Sequence, residues 1–306
     1  MSPATVRIGV LGSGTASREL PAHLAAYAGP GLAPVIVNPR LSAFAATPYE
    51  RLLVDVGYVD AAESAPARGC DALFINSMAD YGLDAMRAVV PVPVVGAGEA
   101  ALREGGRDGR RFAIVTVWPP SMRFLYDERL RACGLESQCA AVHHLSDEDE
   151  LARLGAEEGV MARMHRGEGS VVERLAGLCA RAARGGGAEC IVLGCTCMAP
   201  VGPALAAASP VPVVESSRHG FLAAVAAARD PERARDARGA VASTRHGLVP
   251  SLVDGWFAVA ARVPAAGAPG AEPGPGRAAT GREATPPRLA PPSDGSDCPV
   301  CVDEPE

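Results

Sequence analysis

The chain has 306 residues, 48% of them apolar and 21% charged, which suits one or two globular domains with a sizeable core and excludes a chain disordered throughout. Its net charge is −6 and its isoelectric point is near 5.6, so it lacks the basic footprint of a general nucleic-acid binder. All 29 cationic residues are arginine, and the absence of lysine excludes pyridoxal-phosphate Schiff-base, Walker-type nucleotide and lysine aldol chemistry.

Short runs rich in Val and Ile alternate with longer Ala-rich amphipathic stretches, the pattern of parallel strands joined by crossover helices. The predicted strands are Val6–Gly12, Pro34–Asn38, Asp71–Asn76, Val92–Ala97, Phe112–Val117, Ala140–His144, Cys190–Gly194 and Val211–Glu215. Helices are predicted over Ser17–Tyr27, Pro48–Ala65, Ser121–Ala132, Ser170–Arg184 and Gly220–Ala228. From about Val263 the chain turns to Pro, Gly, Ala, Glu and Arg without apolar periodicity, so a disordered tail is expected over 263–306. Cys298 and Cys301 in that tail supply two thiols where zinc wants four ligands, and read as a flexible pair without function. The opening residues lack a basic segment followed by a long apolar stretch, and no run reaches the roughly 18 apolar residues of a membrane span. A cytoplasmic protein without membrane contact is expected, with its nine cysteines as reduced thiols rather than a disulfide framework.

An internal repeat organises the chain. CDALFINSMADYGLDAMRAVVPVPVVGAGEAAL, from Cys70, aligns with ECIVLGCTCMAPVGPALAAASPVPVVESSRHGFL, from Glu189; both read strand, small polar turn, helix, and Pro-Val-Pro-Val-Val as a second strand. Ser77 aligns with Cys195 and Pro93 with Pro212, with a single-residue gap between them, and VRIGVLGSGT from Val6 resembles RFAIVTVWPP from Arg111. The expected fold is therefore α/β: two similar, pseudo-symmetric, Rossmann-like parallel-sheet domains with the active site in the cleft between them. The first domain takes 1–98 with 216–262 and the second 99–215. Ligands of such sheets bind beyond the carboxyl ends of the strands, which brings Ser77 and Cys195 to one small substrate from opposite sides.

Each candidate has a plainer alternative. Gly12-Ser13-Gly14-Thr15-Ala-Ser17 holds two glycines of a dinucleotide fingerprint, but Ser17 replaces the third and the second strand ends in Asn38 without an acidic residue. A turn whose Ser13 and Thr15 bind a carboxylate or amide is the better fit. Asp80 either accepts a hydrogen bond from substrate or caps the helix at Gly82. Glu99 either pairs with a helix dipole or supports the cleft. His219, four residues past Glu215, is the histidine placed to tune Cys195. His143 and His144 lack carboxylate or cysteine partners for a metal. Cys70, Cys133, Cys139, Cys179 and Cys190 read as packing residues.

Asn76-Ser-Met-Ala-Asp80-Tyr-Gly82-Leu83, Val94-Val-Gly96-Ala-Gly-Glu99-Ala100-Ala101 and Ile191-Val-Leu-Gly194-Cys195-Thr-Cys197-Met198-Ala199 together resemble the aspartate/glutamate/hydantoin racemase superfamily, closest to its hydantoin racemase branch, over about residues 5–230. The resemblance implies a cofactor-independent racemase or epimerase, with no metal, that moves a proton at a carbon next to a carbonyl of a small carboxylate, amino-acid derivative or cyclic amide. Members that racemise use one cysteine from each half. Here the first-half position is Ser77, the proline after Asp80 is Tyr81, the glycine after Thr196 is Cys197, and the asparagine–proline turn of that branch is Gly12-Ser13-Gly14. Trp118 and two prolines stand at the matching end of the second half, which implies an altered pocket.

Cys195 and Ser77 are the expected catalytic pair. Ser13, Thr15, Asn76, Asp80, Thr116, Thr196, Cys197 and His219 are the expected substrate-binding set. A lone Cys195 fits a one-cysteine decarboxylase, cis-trans isomerase or lyase of the same superfamily as the next reading, and a non-catalytic small-molecule-binding module is the alternative from another class. Side chains of neighbouring turn residues usually point apart, so Cys197 is not expected to reach the position of Cys195. The resemblance further implies a homodimer or higher homo-oligomer.

Overall fold

A computed structural model describes residues 5–12, 19–41, 43–64, 67–153, 156–239 and 246–260. Ser13, Thr15, Cys298 and Cys301 lie outside them.

Eight parallel strands form two four-stranded sheets. In the first, β1 (Val6–Leu11), β2 (Leu32–Val37), β3 (Ala72–Ile75) and β4 (Val94–Gly96) take the order β2-β1-β3-β4. In the second, β5 (Phe112–Thr116), β6 (Cys139–His144), β7 (Cys190–Leu193) and β8 (Val213–Val214) repeat it as β6-β5-β7-β8. The identical order is what the internal repeat predicts, and each predicted strand is present within a few residues of its expected ends. The central strands are buried along most or all of their length, β3, β5 and β7 at every residue, because helices cover both faces; such strands read as continuous apolar runs.

The helices follow from local chemistry. α2 (Pro48–Ala62) starts at a Thr47/Glu50 capping box with Pro48 in its first turn. Further along, α7 (Gly169–Gly186) buries Val171, Leu175, Leu178, Cys179 and Ala182 on one stripe and ends at left-handed Gly187. The predicted helix over Ser17–Tyr27 shrinks, among its described residues, to α1 (Ala22–Ala25). Pro21 pushes the preceding residue out of helical conformation, and Gly29-Pro30-Gly31 leaves no room for extension. Between β3 and β5 lie α3 (Leu83–Val89) and α4 (Ala97–Gly105), followed after β5 by α5 (Phe124–Cys133). The second half continues with α6 (Val160–His165), α8 (Gly202–Ala208) and α9 (Ser216–Ala228). α9 begins earlier than expected because the Glu215 carboxylate accepts the amide N–H groups of Ser217 at 2.7 Å and Arg218 at 2.8 Å. Finally, α10 (Pro231–Gly239) and α11 (Leu248–Ala260) close the described chain, where the sequence reading placed no element; α11 packs on α2.

Two helices exchange partners between the sheets. α4 leaves β4 of the first sheet and buries Ala101 and Leu102 with Phe112, Ile114, Cys190 and Val192 of the second. Conversely, α9 leaves β8 of the second and buries Phe221, Ala224 and Val225 with Ile8, Val10 and Phe74 of the first. The two helices also pack on each other. This exchange holds the loops at the ends of β3 and β7 against one another. Among the described residues no helix is long and apolar enough to cross a membrane.

Candidate active site

In each sheet the winding reverses beside the first strand, between β1 and β3 and between β5 and β7, where the loops beyond the carboxyl ends part and leave a crevice. The loops leaving β3 and β7 carry Ser77 and Cys195, and they are tied together: the Thr196 hydroxyl donates to the Asn76 carbonyl at 3.1 Å. A cavity of about 100 Å³ opens between them, lined by Ser77, Cys195 and Thr196 and walled by Phe44, Tyr81, Trp118, Met122, Leu125 and Tyr126. Phe44 packs against Trp118 with the rings tilted by 56° and their centroids 5.1 Å apart, and stays 41% exposed at the mouth.

Cys195 is 8% exposed and extended, with φ −146° and ψ 136°, directly ahead of a 3₁₀ turn over Thr196–Val201. The turn draws residue 197 close to residue 195: the Cys197 amide N–H donates to the Cys195 sulfur at 3.2 Å, and the two sulfurs form a disulfide with Cα atoms 5.1 Å apart. This corrects two expectations, that the cysteines are all reduced and that residues 195 and 197 point apart. Residues two apart along an extended chain share a face, and the 3₁₀ turn that starts at Thr196 shortens the span between them. Cys197 does not line the cavity, and its carbonyl is held by His165 Nε2 at 3.2 Å.

Ser77 accepts the Ala79 amide N–H at 3.3 Å and shares a side-chain hydrogen bond with Tyr81. Burial pushes the Tyr81 phenol up to about 12, against the pull of the Arg51 guanidinium, which lies 5.7 Å from its ring centroid. Arg51 itself is engaged, pairing with Glu128 at 2.7 Å and donating to the Ala79 carbonyl at 3.3 Å.

The remaining expected binding residues mostly face inward. Thr116 is fully buried and does not line the cavity; its hydroxyl meets Tyr126 Oη at 2.6 Å and accepts the Trp118 amide N–H at 3.2 Å. Tyr126 in turn donates to the Gly194 carbonyl at 2.8 Å. The result is a relay from Trp118 through Thr116 and Tyr126 to the peptide that carries Cys195. Gly194 is required there, since a Cβ at this position would sit 2.8 Å from the Thr116 Cβ and 2.9 Å from Ile114.

Asp80 caps α4 rather than α3: its carboxylate accepts the amide N–H groups of Gly98 at 2.8 Å and Glu99 at 2.6 Å. Burial raises its carboxyl to about 7, opposing those two donors. Asn76 Oδ1 accepts from the buried Ser217 hydroxyl at 2.8 Å, which lies 3.1 Å from His23 Nε2. The His219 ring turns to its own helix, with Nδ1 2.8 Å from the Glu215 carbonyl, and does not line the cavity. His144 Nδ1 lies 2.8 Å from the Trp118 carbonyl. For Glu99, burial acts to raise the carboxyl, but pairing with Arg87 at 2.7 Å and Arg103 at 3.0 Å outweighs it and holds the group low. The sequence reading did not select Tyr126, Ser217, His23 or His165, whose places depend on elements far apart in the chain.

Residues 8–224 match the family model described as Asp/Glu/Hydantoin racemase. The chain belongs to this family. This family member is 33% identical over 145 residues to a hydantoin racemase of Paenarthrobacter aurescens, a stretch that covers 47% of the chain and 56% of that relative. It spans a little over half the length of the curated relatives it matches first. Among solved structures, an allantoin racemase from Klebsiella pneumoniae superposes with a TM-score of 0.58 at 26% identity, covering 72% of this racemase-family chain and 86% of that one. A substituted arylmalonate decarboxylase shares the fold, with a TM-score of 0.53 at 23% identity, covering 74% and 94% of the two chains.

Among the described residues, no group of three or more His, Cys, Asp or Glu is arranged to hold a metal ion. What the described residues of the site offer is a sulfur, a set of hydroxyls and an aromatic wall, with no arginine, histidine or carboxylate among the described lining.

Proposed function

We propose that the chain is a cofactor-independent isomerase that racemises or epimerises a small neutral cyclic amide, such as a 5-substituted hydantoin, by proton transfer at the carbon next to a carbonyl. The observation that carries this reading is one small cavity onto which Cys195, Ser77 and Tyr81 all open, between apolar and aromatic walls. A cyclic diamide asks only for hydrogen bonds, and the Ser77 and Tyr81 hydroxyls stand beside it to hold the oxygen that becomes enolate-like. Phe44, Trp118, Met122 and Leu125 supply the apolar surface for the substituent.

In this reading Cys195 acts in its reduced form. Its thiolate takes the proton, and delivery from the opposite wall by Ser77, hydrogen-bonded to Tyr81, inverts the centre. The cleft then lies between a first domain of residues 1–98 with 216–262 and a second of 99–215. Ser77 itself favours a second reading: a hydroxyl is a far weaker base than a thiolate, and protonation from Cys195 alone acts on one face, as a one-cysteine decarboxylase or isomerase requires.

Proton NMR in deuterium oxide, with reductant present, tests both. The expected result is α-proton exchange with loss of optical activity on 5-substituted hydantoins, abolished in Cys195→Ala, and no turnover of aspartate, glutamate or malonates. Ser77→Cys is expected to raise racemisation by about tenfold or more by supplying a second thiol. Carbon dioxide release from an aryl- or alkylmalonate, or deuteration of one face only, would move the assignment to the one-cysteine reading. Exchange on no substrate would leave a binding module as the better account.

A further inference from the structure

We infer that Cys195 and Cys197 form an oxidation site for small hydroperoxides, in which Cys195 is the reacting thiol and Cys197 the resolving one, and that their disulfide withdraws the Cys195 thiol from the cavity. The effect on turnover rests on the proposed acid/base role of Cys195; the oxidation itself does not.

Position argues for the division of labour. Cys195 lines a cavity of about 100 Å³, which admits a molecule the size of hydrogen peroxide, whereas Cys197, half-buried beside the apolar cluster that includes Cys195, lies outside that lining. Their Cα atoms are 5.1 Å apart in the bonded form, inside the 4.4–6.8 Å span of disulfides, so the turn accommodates the bond. The His165 contact with the Cys197 carbonyl holds the second peptide in place. The Cys197 amide N–H is aimed at the Cys195 sulfur from 3.2 Å, a donor beside the atom that reacts with peroxides. Burial pushes the thiols of Cys133, Cys139 and Cys179 up to about 11, which leaves little thiolate on them at neutral pH.

The chemistry balances. The Cys195 sulfur attacks one peroxide oxygen, the O–O bond breaks, Cys195 becomes a sulfenic acid, and the other oxygen leaves as water (as an alcohol from an organic hydroperoxide) with the thiol proton. The Cys197 sulfur then attacks the sulfenic sulfur, the S–O bond breaks and a second water leaves. Two electrons pass from the two thiols to the peroxide. Two molecules of a low-molecular-weight thiol return them by exchange and leave as their own disulfide. In the oxidised form Cys195 has no proton to give and no lone thiolate to accept one.

The test uses the full chain, reduced with dithiothreitol and desalted, then exposed to hydrogen peroxide, alkylated and digested. The expected product is a peptide two hydrogens lighter, with Cys195 and Cys197 both closed to alkylation and both reopened by dithiothreitol. Hydantoin exchange is expected to fall about tenfold or more in step and to return with the reductant. In Cys197→Ala and Cys197→Ser, each compared with its own untreated rate, Cys195 is expected to be trapped by dimedone as sulfenic acid. Prolonged peroxide then carries it to a sulfinic acid that dithiothreitol does not restore. Alkylation of Cys195 unchanged by peroxide, or pairing with a cysteine other than Cys197, overturns the proposal. So does a full disulfide with unchanged exchange, provided Cys195→Ala is inactive; if Cys195→Ala is active, the acid/base assignment fails instead. Where no substrate turns over, the peptide map alone decides the oxidation site.

Discussion

Replacing Tyr126 with Phe removes one oxygen from the relay that fixes the Cys195 peptide, and its cost can be worked from the structure. The Tyr126 hydroxyl is buried, donates to the Gly194 carbonyl at 2.8 Å and meets the Thr116 hydroxyl at 2.6 Å. The ring itself packs in the apolar cluster with Met78, Phe112 and Leu130, so Phe keeps the packing and deletes only the polar contacts. The Gly194 carbonyl and the Thr116 hydroxyl then lose a partner where water does not reach, at about 1–3 kcal/mol. For a chain of this size each kcal/mol is worth about 2–4 °C in melting temperature. Urea denaturation followed by circular dichroism is expected to show a lower midpoint at unchanged m-value. Thr116→Val breaks the same chain from the other side, so the double variant is expected to lose less than the sum of the two, by about 1 kcal/mol. Tyr126→Phe within about 0.5 kcal/mol of the parent, or strict additivity with Thr116→Val, would refute the relay.

Asp80→Asn places an amide donor against one of the two backbone donors at the start of α4 and is expected to cost about 1–3 kcal/mol. Because burial raises the Asp80 carboxyl from 3.8 to about 7, its contribution to stability is complete below about pH 4 and is lost as pH rises through about 7. The stability gap between parent and Asp80→Asn, measured by denaturation at several pH values, is therefore expected to narrow over that interval; a gap that widens toward neutral pH contradicts the assignment. Trp118→Ala removes the Phe44 contact and one wall of the cavity. Steady-state kinetics on hydantoins with and without a bulky apolar substituent are expected to show KM rising several-fold for the bulky substrate alone, since an aromatic pair adds about 0.5–1.5 kcal/mol beyond the area it buries. An equal rise for both substrates would place the substituent elsewhere.

Much of the fold is legible in the chain because strand and helix patterns are local and the repeat is written twice. Runs such as Phe112–Thr116 and Cys190–Leu193 are apolar at almost every position since both faces of each sheet are covered. The alignment of Ser77 with Cys195 anticipates that equivalent loops face a common space, because identical strand orders have their crevices at equivalent strand ends. Even the short α1 could be read from Pro21 and the glycines that follow it, once proline is weighted above amphipathic spacing.

Side-chain direction is another matter. Thr116, Asp80 and His219 have the residue types of a binding site, yet Thr116 turns to Tyr126, Asp80 to the amides of α4, and His219 to its own helix. The partners of Thr116 and Asp80 lie 10 and 18 positions away, where a hydroxyl or carboxylate satisfies any donor that packing brings near, whereas the His219 contact is local to its helix. The Cys195–Cys197 bond depends on a single residue, Thr196, beginning a 3₁₀ turn instead of continuing the strand. Among the described residues, Arg51 stays out of the cavity lining because it is drawn to Glu128 and the Ala79 carbonyl. Residue order alone determined the two sheets, their equivalence and the loops that carry Ser77 and Cys195, because those follow from periodicity and repetition. Which polar groups are consumed by the scaffold and which are left to meet a substrate was decided by tertiary packing, because only packing sets the distance between donors and acceptors that are remote in the chain.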